Sequence, residues 1–346
     1  NSWLFNRKVN TSFIQKLPFG ISHVQQYLPL LPFAIEQIDL DGYPLVISSN
    51  HLVAKGVLTS PDQLHISYVH TPVRYAWDQM NIYLKRSFLR KIGLGLLIRW
   101  QLHTLRQWDQ LSSSRVDCLI ANSNFTAQRI WKYWRRRSEV IHPPVNISRF
   151  EWDKPREDFY LSVCRLVPNK RVDLLVRAFN KLKLPLIVVG DGVEKEYLKD
   201  LAGPSVQILG FQSSEKIGTL MSQCRAFVYA GVEDFGIAPV EAMAAGAPVI
   251  AFGKGGVLDT VKCINSNFDK GATGLLFSSQ TVKSLVEAIE FFNEKQIWRD
   301  LNPELIRNWA NSFSQDSFKF RFEKTLKRVW NEHMNSCDIA TSDLRS

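Results

Sequence analysis

"GVEDFGIAPVEAMAAGAPVIAFGKGG", residues 231–256, is the stretch on which the fold turns. Glu233 and Glu241 stand around a Phe235-Gly236 pair in sequence that is otherwise mostly apolar or small. AFVYA (226–230) predicts a strand leading into it. Pro239, tolerated near a helix start because its φ is already fixed, predicts a helix over about 237–246. Glu233 then lies in the loop at the strand's carboxyl end, and Glu241 in the first turn of the helix. In open α/β sheets ligands bind at that edge, where helix N-termini offer unpaired N–H groups to phosphate. A carboxylate accepts two hydrogen bonds and suits the paired hydroxyls of a sugar or ribose. Gly236 lets backbone approach a ligand closely. A plainer arrangement fits the same residues: Glu241 complementing the helix dipole and Glu233 solvated.

Outward from this stretch the second half repeats a β-α order. Strands are expected at 159–165, 185–190, 206–210, 226–230, 248–252 and 273–277, with helices at about 170–183, 193–201, 213–223, 237–246, 256–263 and 281–295. That order implies a parallel, doubly wound α/β domain of the nucleotide-binding type. The first half is also α/β: strand candidates are PLVISS (44–49), LHISYVH (64–70), CLIANS (118–123) and EVIHPPV (139–145), with helices at 78–109 and 125–135. Pro and charged residues over 142–158 break the pattern and mark an interdomain linker. The expected division is a first domain over 1–145, a linker over 146–157 and a second domain over 158–312. A helix over 313–334 follows, crossing back to the first domain, and then a frayed polar tail over 335–346. No strand, glycine turn and helix precede PLVISS, so the first domain reads as incomplete at its start.

Composition adds bounds. The 346 residues carry a net charge of +10. From Lys85 to Arg137, twelve Lys and Arg face only Asp109 and Asp117, which concentrates the excess on one face. The five cysteines are scattered and form no C-x-x-C or Cys/His cluster, so neither a disulfide framework nor a zinc site is supported and a reducing compartment fits. No apolar run reaches the roughly 18 residues of a membrane span. Over 82–100, basic, aromatic and leucine residues interleave at helical spacing, a pattern that suits an anionic membrane interface. A core helix with a basic exposed side fits it too. No RNA- or DNA-binding motif is present, and nucleic acid is not expected as a partner. Asp39-Leu40-Asp41 spells D-x-D but leads into a strand, and is read as a turn. No metal is expected.

Arg165 ends one strand and Lys170 opens the next helix. Two cations at a strand's carboxyl end can hold a diphosphate and stabilise charge developing on a leaving group. On the residues alone, ordinary surface cations are the plainer reading, since Lys170-Arg171 also fits a solvated helix start. His70 closes LHISYVH at the sheet's carboxyl edge, where a histidine can be structural or can meet a ligand.

Spacing and order together resemble the retaining glycosyltransferases of family 4. The E-x7-E of Glu233 and Glu241 with F-G inside is followed by EAMAAGAPVIA and a Gly-Gly turn. SVCRLVPNKRVDLLVRAF (162–179), VGDG (189–192), LGF (209–211) and ANSNFTAQRI (121–130) also match. HISYVHTPVRYAWD (65–78) is similar to the O-antigen-type mannosyltransferases of that family. The resemblance covers about residues 40–330 and implies a GT-B fold, two Rossmann-like domains facing across a cleft. It implies that Glu233 and His70 contact the donor sugar and that Glu241 accepts from the nucleotide ribose. Arg165 and Lys170 would hold the diphosphate. Phe235, Gly236 and Ile237 would present backbone N–H groups, Gly190 would line the donor site, and Phe211 and Gln212 would meet the nucleobase. Arg74 and Tyr75 would line the acceptor side. The donor implied is a nucleotide diphosphate sugar, GDP-mannose on the closer likeness, and the acceptor a glycan or lipid-linked glycan. No cofactor is implied. The setting implied is cytoplasmic, peripheral on the inner face of the plasma membrane. A hydrolase or epimerase of the same fold, or a non-catalytic binding protein, are the alternatives.

Overall fold

The computed structural model describes residues 9–78, 80–81, 95–264 and 271–343. The chain divides into two compact units, Asn1–Ile141 with Lys324–Ser346, and His142–Glu323.

The first unit is built on a four-stranded parallel sheet in the order β1 (Leu45–Asn50), β2 (Leu64–Val69), β3 (Cys118–Ala121) and β4 (Glu139–Val140). Every residue of β2 is buried, as expected of a central parallel strand covered on both faces. Its helices are α1 (Leu31–Glu36), α2 (Gly95–Ser113) and α3 (Asn124–Trp134). Ser123 caps α3 by accepting the Thr126 N–H through its hydroxyl, which satisfies one of the orphan donors of the first turn. Among the described residues, short 3-10 turns and α1, not a strand, precede β1. Asp39 accepts the Asp41 N–H at 2.9 Å, an Asx-type turn.

A buried charge pins this unit. Lys55 is fully buried, with its ammonium 3.1 Å from Asp109 Oδ1 and donating to the Asp109 carbonyl at 2.7 Å and to Ser112 Oγ at 2.5 Å. It also lies 4.7 Å from the Trp134 ring and 5.0 Å from that of Trp108. Trp77 and Trp134 donate their indole N–H groups to Asp109 Oδ2, each at 2.8 Å. Burial pushes the Lys55 ammonium below its ordinary range, and Asp109 opposes the shift. A buried ion pair of this kind is costly to break from either side.

The second unit carries six parallel strands in the order β10 (Gly274–Phe277), β9 (Val249–Phe252), β8 (Ala226–Tyr229), β5 (Tyr160–Val163), β6 (Leu186–Val189) and β7 (Val206–Gly210). The order reverses between β5 and β8, the mark of a doubly wound sheet. Around it run α4 (Val172–Leu182), α5 (Lys195–Leu201), α6 (Ser214–Gln223), α7 (Ile237–Ala244), α8 (Val257–Thr260), α9 (Val282–Glu294), α10 (Ile297–Asp300) and α11 (Pro303–Ala310). Ala242, Ala244, Ala245 and Ala247 are fully buried; their small side chains let α7 and its C-terminal turn pack closely. Last comes α12 (Gln315–Asp343), whose residues from Lys324 onward group with the first unit. There Glu139 accepts from Thr325 and pairs with Arg328, each at 2.8 Å.

Four expectations change. EVIHPPV joins the sheet only at Glu139–Val140, because Pro143 and Pro144 have no N–H to give a ladder; Val145 makes an isolated bridge to Ser314. The helix expected over 78–109 is described from Gly95 and ends at Ser113; residues 82–94 lie outside the described residues. The helix expected over 256–263 is the single turn of α8, and Val261 is already extended. The tail expected to fray from 335 continues α12 to Asp343. Among the described residues, no helix is long and apolar enough to cross a membrane.

His65, fully buried in β2, gives the first unit a pH signature. Its Nε2 lies 2.9 Å from Ser48 Oγ. Burial holds its pKa down to about 4, against an opposing pull from Asp117. The folded state therefore keeps a neutral ring while the unfolded chain takes up a proton near pH 6.5. Stability from this group is complete above the unfolded value and declines as pH falls toward the folded one, by roughly 3 kcal/mol in all. Urea unfolding of the wild type and His65→Gln at pH 7 and 4.5 should show the wild type losing more than the variant. Parallel losses would remove His65 as the cause.

Candidate functional site

The reversal between β5 and β8 opens a crevice at the carboxyl edge of the second sheet, and most of the residues expected there are on its loops. Arg165 lies two positions beyond β5 and is exposed. Lys170 does not open a helix; it ends a single 3-10 turn, Pro168–Lys170, and α4 begins only at Val172. The tighter turn swings the Lys170 side chain onto the loop after β8, where its ammonium pairs with Glu233 Oε1. The Tyr229 hydroxyl donates to the same oxygen. Both donors converge on one oxygen of the carboxylate, which fixes its orientation. Burial, with Glu233 alongside, pushes the Tyr229 phenol far above its ordinary value, so it remains a neutral donor. Cys164, next to Lys170 and Glu233, is pushed up to about 12 by burial and is an unreactive thiol.

The backbone of this loop is braced from behind. Glu233 bridges to Gly255, and its carbonyl accepts the Gly256 N–H at 2.9 Å. Gly255 has φ +92, and a Cβ there would fall 2.4 Å from the Glu233 carbonyl oxygen. The Gly-Gly turn is thus required by close approach within the protein. Gly236 (φ +96) is the N-cap of α7, and Ile237 is its first residue, 49% exposed. Phe235 turns its ring inward: it is 3% exposed, with centroids 5.6 Å from His142 and 5.7 Å from Phe313. Only its backbone is available to the loop's outer side. His142 in turn holds Asp259 of α8 at 3.0 Å.

Glu241 is the fifth residue of α7 and lies in its second turn, not its first. It pairs with Arg149 at 2.5 Å. Burial raises the Glu241 pKa above its ordinary value, and Arg149 opposes the rise. Gly190 follows β6 and donates its N–H to the Gly210 carbonyl at 2.9 Å, and a Cβ on it would collide with the Cys164 carbonyl. Phe211 is 82% exposed beyond β7, and Gln212 donates to the Leu209 carbonyl at 3.0 Å.

The other expected residues belong to the first unit. His70 follows β2, with its Nε2 2.9 Å from Ser49 Oγ and its ring 5.3 Å from that of Tyr68. Its carbonyl accepts from Asn122 at 3.0 Å and Thr126 at 3.3 Å. Arg74 and Tyr75 are half-buried in the turn that follows, and Tyr75 borders an apolar cavity of about 490 Å³. Among the described residues, no cluster of three or more His, Cys, Asp or Glu is placed to hold a metal ion. Arg149 and Tyr229 were not foreseen. Tyr229 is the polar end of an otherwise apolar strand four residues before Glu233, a signal that could have been used. Arg149 lies in irregular sequence that offers none.

Known proteins share this fold. The fold is GT-B, two Rossmann-like α/β units. It aligns with sucrose-phosphate synthase from Thermosynechococcus elongatus at a TM-score of 0.67 and 18% identity, over 90% of this chain and 80% of that one. It aligns with Anabaena Alr3699/HepE, solved with UDP and glucose, at a TM-score of 0.61 and 18% identity, over 93% and 84%. Residues 145–311 match the family model "Glycosyl transferases group 1". In sequence the chain is similar to alpha-1,3/1,6-mannosyltransferase ALG2 of Candida glabrata, 26% identical over 304 residues, 69% of this chain and 64% of that protein. The protein of the same name in Saccharomyces cerevisiae is 25% identical over 286 residues, 65% and 56%. The chain spans roughly three fifths of the length of the curated relatives it matches.

The bracing of the Glu233 loop can be checked directly. Gly255→Ala should destabilise the second unit by about 1–3 kcal/mol, since it forces an unfavourable φ and a backbone clash. Gly253→Ala, where a Cβ finds a contact of 3.4 Å to the Phe277 carbonyl oxygen, should cost far less. Equal unfolding midpoints for the two variants would show that the turn is not constrained.

Proposed function

We propose that this protein is a metal-independent, retaining glycosyltransferase. It moves a hexosyl group, mannosyl from GDP-mannose, to a glycan or lipid-linked acceptor in cell-surface polysaccharide synthesis. The observation that carries the reading is the Glu233 loop, with Lys170 and Tyr229 fixing one carboxylate oxygen at the switch point of a Rossmann-like sheet. That loop falls within the residues matched by the family model. The names of the ALG2 relatives support a mannosyl donor.

In this reading Arg165 and Lys170 hold the diphosphate and offset the charge that develops as the anomeric carbon–oxygen bond to phosphate breaks. The acceptor oxygen bonds to that carbon from the same face, and its proton passes to the departing β-phosphate oxygen. The products are the glycoside and a nucleoside diphosphate. No protein nucleophile or base is required. Glu233 orients the sugar, with His70 a further sugar contact on resemblance alone. Glu241 accepts from the ribose. Phe235, Gly236 and Ile237 offer backbone N–H groups, Gly190 gives room for the phosphates, Phe211 and Gln212 meet the base, and Arg74 and Tyr75 serve the acceptor. The protein acts at the inner face of the plasma membrane. Of the segment 82–100 proposed to touch anionic lipid, 95–100 is described, and there Leu96 and Trp100 are 82% and 64% exposed.

Two substitutions test the donor site. Glu241→Ala should weaken GDP binding by roughly ten- to hundredfold in calorimetry, the worth of a hydrogen bond to a charged group; unchanged affinity rules out the ribose role. Arg165→Ala should lower turnover with GDP-mannose by about 10²–10³, the cost of one charge-stabilising donor. Turnover close to wild type would sink its part in leaving-group stabilisation. Stronger sedimentation with anionic than with neutral liposomes is the outcome expected of the membrane contact, and equal sedimentation overturns it.

A further inference from the structure

We propose that Arg149 is a positioning residue for nucleotide recognition: it fixes one oxygen of Glu241 so that the carboxylate meets the ribose hydroxyls in a single orientation. The inference rests on the ribose role proposed for Glu241 and adds to it Arg149, which none of the quoted motifs contains.

The geometry is a closed circuit. Arg149 Nη2 lies 2.5 Å from Glu241 Oε1. Its guanidinium sits 4.4 Å from the ring centroid of Phe150, which is itself 3% exposed. The Phe150 carbonyl accepts from Arg307 Nη1 at 2.9 Å, and the same nitrogen donates to the Ala244 carbonyl at 2.7 Å. Ala244 ends α7, the helix that carries Glu241. Arg307 therefore ties the backbone beside Arg149 to the far end of the helix bearing its partner. The tie holds the two backbone segments at a set separation, and the Phe150 ring limits where the guanidinium can go.

The other charged groups near α7 are engaged elsewhere. Arg307, on α11, is turned to the two carbonyls just named. Arg156 donates to the Ala245 carbonyl at 3.1 Å and the Ser222 carbonyl at 2.8 Å. Asp259, on α8, is held by His142, and Glu233 by Lys170. Among the described residues, Arg149 is the cation paired with Glu241. Burial favours the protonated Glu241 and Arg149 the ionised one. An ionised carboxylate accepts from two hydroxyls, whereas a protonated one gives up part of that capacity.

The test is calorimetry of Arg149→Met with GDP and with 2′,3′-dideoxy-GDP between pH 8 and 5.5. The wild type should prefer GDP by about tenfold or more, the value of the ribose hydrogen bonds. The variant should lose most of that preference, lose it further as pH falls, and bind dideoxy-GDP as the wild type does. Arg149→Lys, which keeps the charge without the planar fork, should restore part of the preference and its insensitivity to pH. Equal loss for both nucleotides in Arg149→Met, or a wild-type preference for GDP kept by that variant at every pH, overturns the proposal. If Arg149→Met does not fold, Arg149→Lys decides by the same comparison: a reduced preference for GDP supports the proposal, and an equal loss for both nucleotides overturns it. Failure of the ribose role itself is seen separately, as Glu241→Ala binding GDP with wild-type affinity.

Discussion

The arrangement at the second sheet depends on one constraint, the reversal of strand order between β5 and β8. Helices leave the two strands toward opposite faces there, so the loops after Val163 and Tyr229 part and open a crevice. Lys170 comes from one loop and Glu233 from the other, and their ion pair spans the gap. Tyr229 holds the same carboxylate from below, and the Gly255-Gly256 turn presses on its backbone from the side. The carboxylate is oriented by three separate elements. A side chain held in this way needs little reorganisation to meet a ligand, which is what a preorganised polar site requires.

Much of this was legible in the sequence because it rests on local pattern. A short β-branched run followed by a helical rhythm fixes the β-α order, and that order fixes the parallel sheet. Glu233 and Glu241 stood out because carboxylates are rare in such apolar surroundings. The errors are also local. Lys170 was placed at a helix start because the 3-10 turn Pro168–Lys170 has no separate periodicity. Glu241 is expected one turn too early: in a helix that starts at Ile237 it is the fifth residue, already in the second turn.

What could not be read is the set of contacts between distant parts of the chain. Lys55 and Asp109 are far apart in sequence, and nothing around Lys55 announces a buried cation ringed by indoles. Arg149 meets Glu241 across a longer separation still, from a segment that reads as a linker because it is rich in Pro and charge. Its neighbours Ile147 and Phe150 are in fact 5% and 3% exposed, part of the second unit's core. Polar partners of this kind are set by tertiary geometry, which hydrophobic periodicity does not encode.

The two carboxylates differ in a way that matters for the proposed transfer. Glu233 is held by a lysine and a phenol on one oxygen, beside the sheet's switch point. Glu241 is held by an arginine stacked on a buried ring, in the second turn of α7. A lysine ammonium is a compact charge that can swing toward phosphate while its stem stays in place; a guanidinium fork is planar and directional. The first arrangement suits a group whose partner must also answer a leaving diphosphate. The second suits a group asked only to recognise a sugar ring that does not react. Under the proposed transfer, the division between chemistry and recognition follows the cation each carboxylate has beside it.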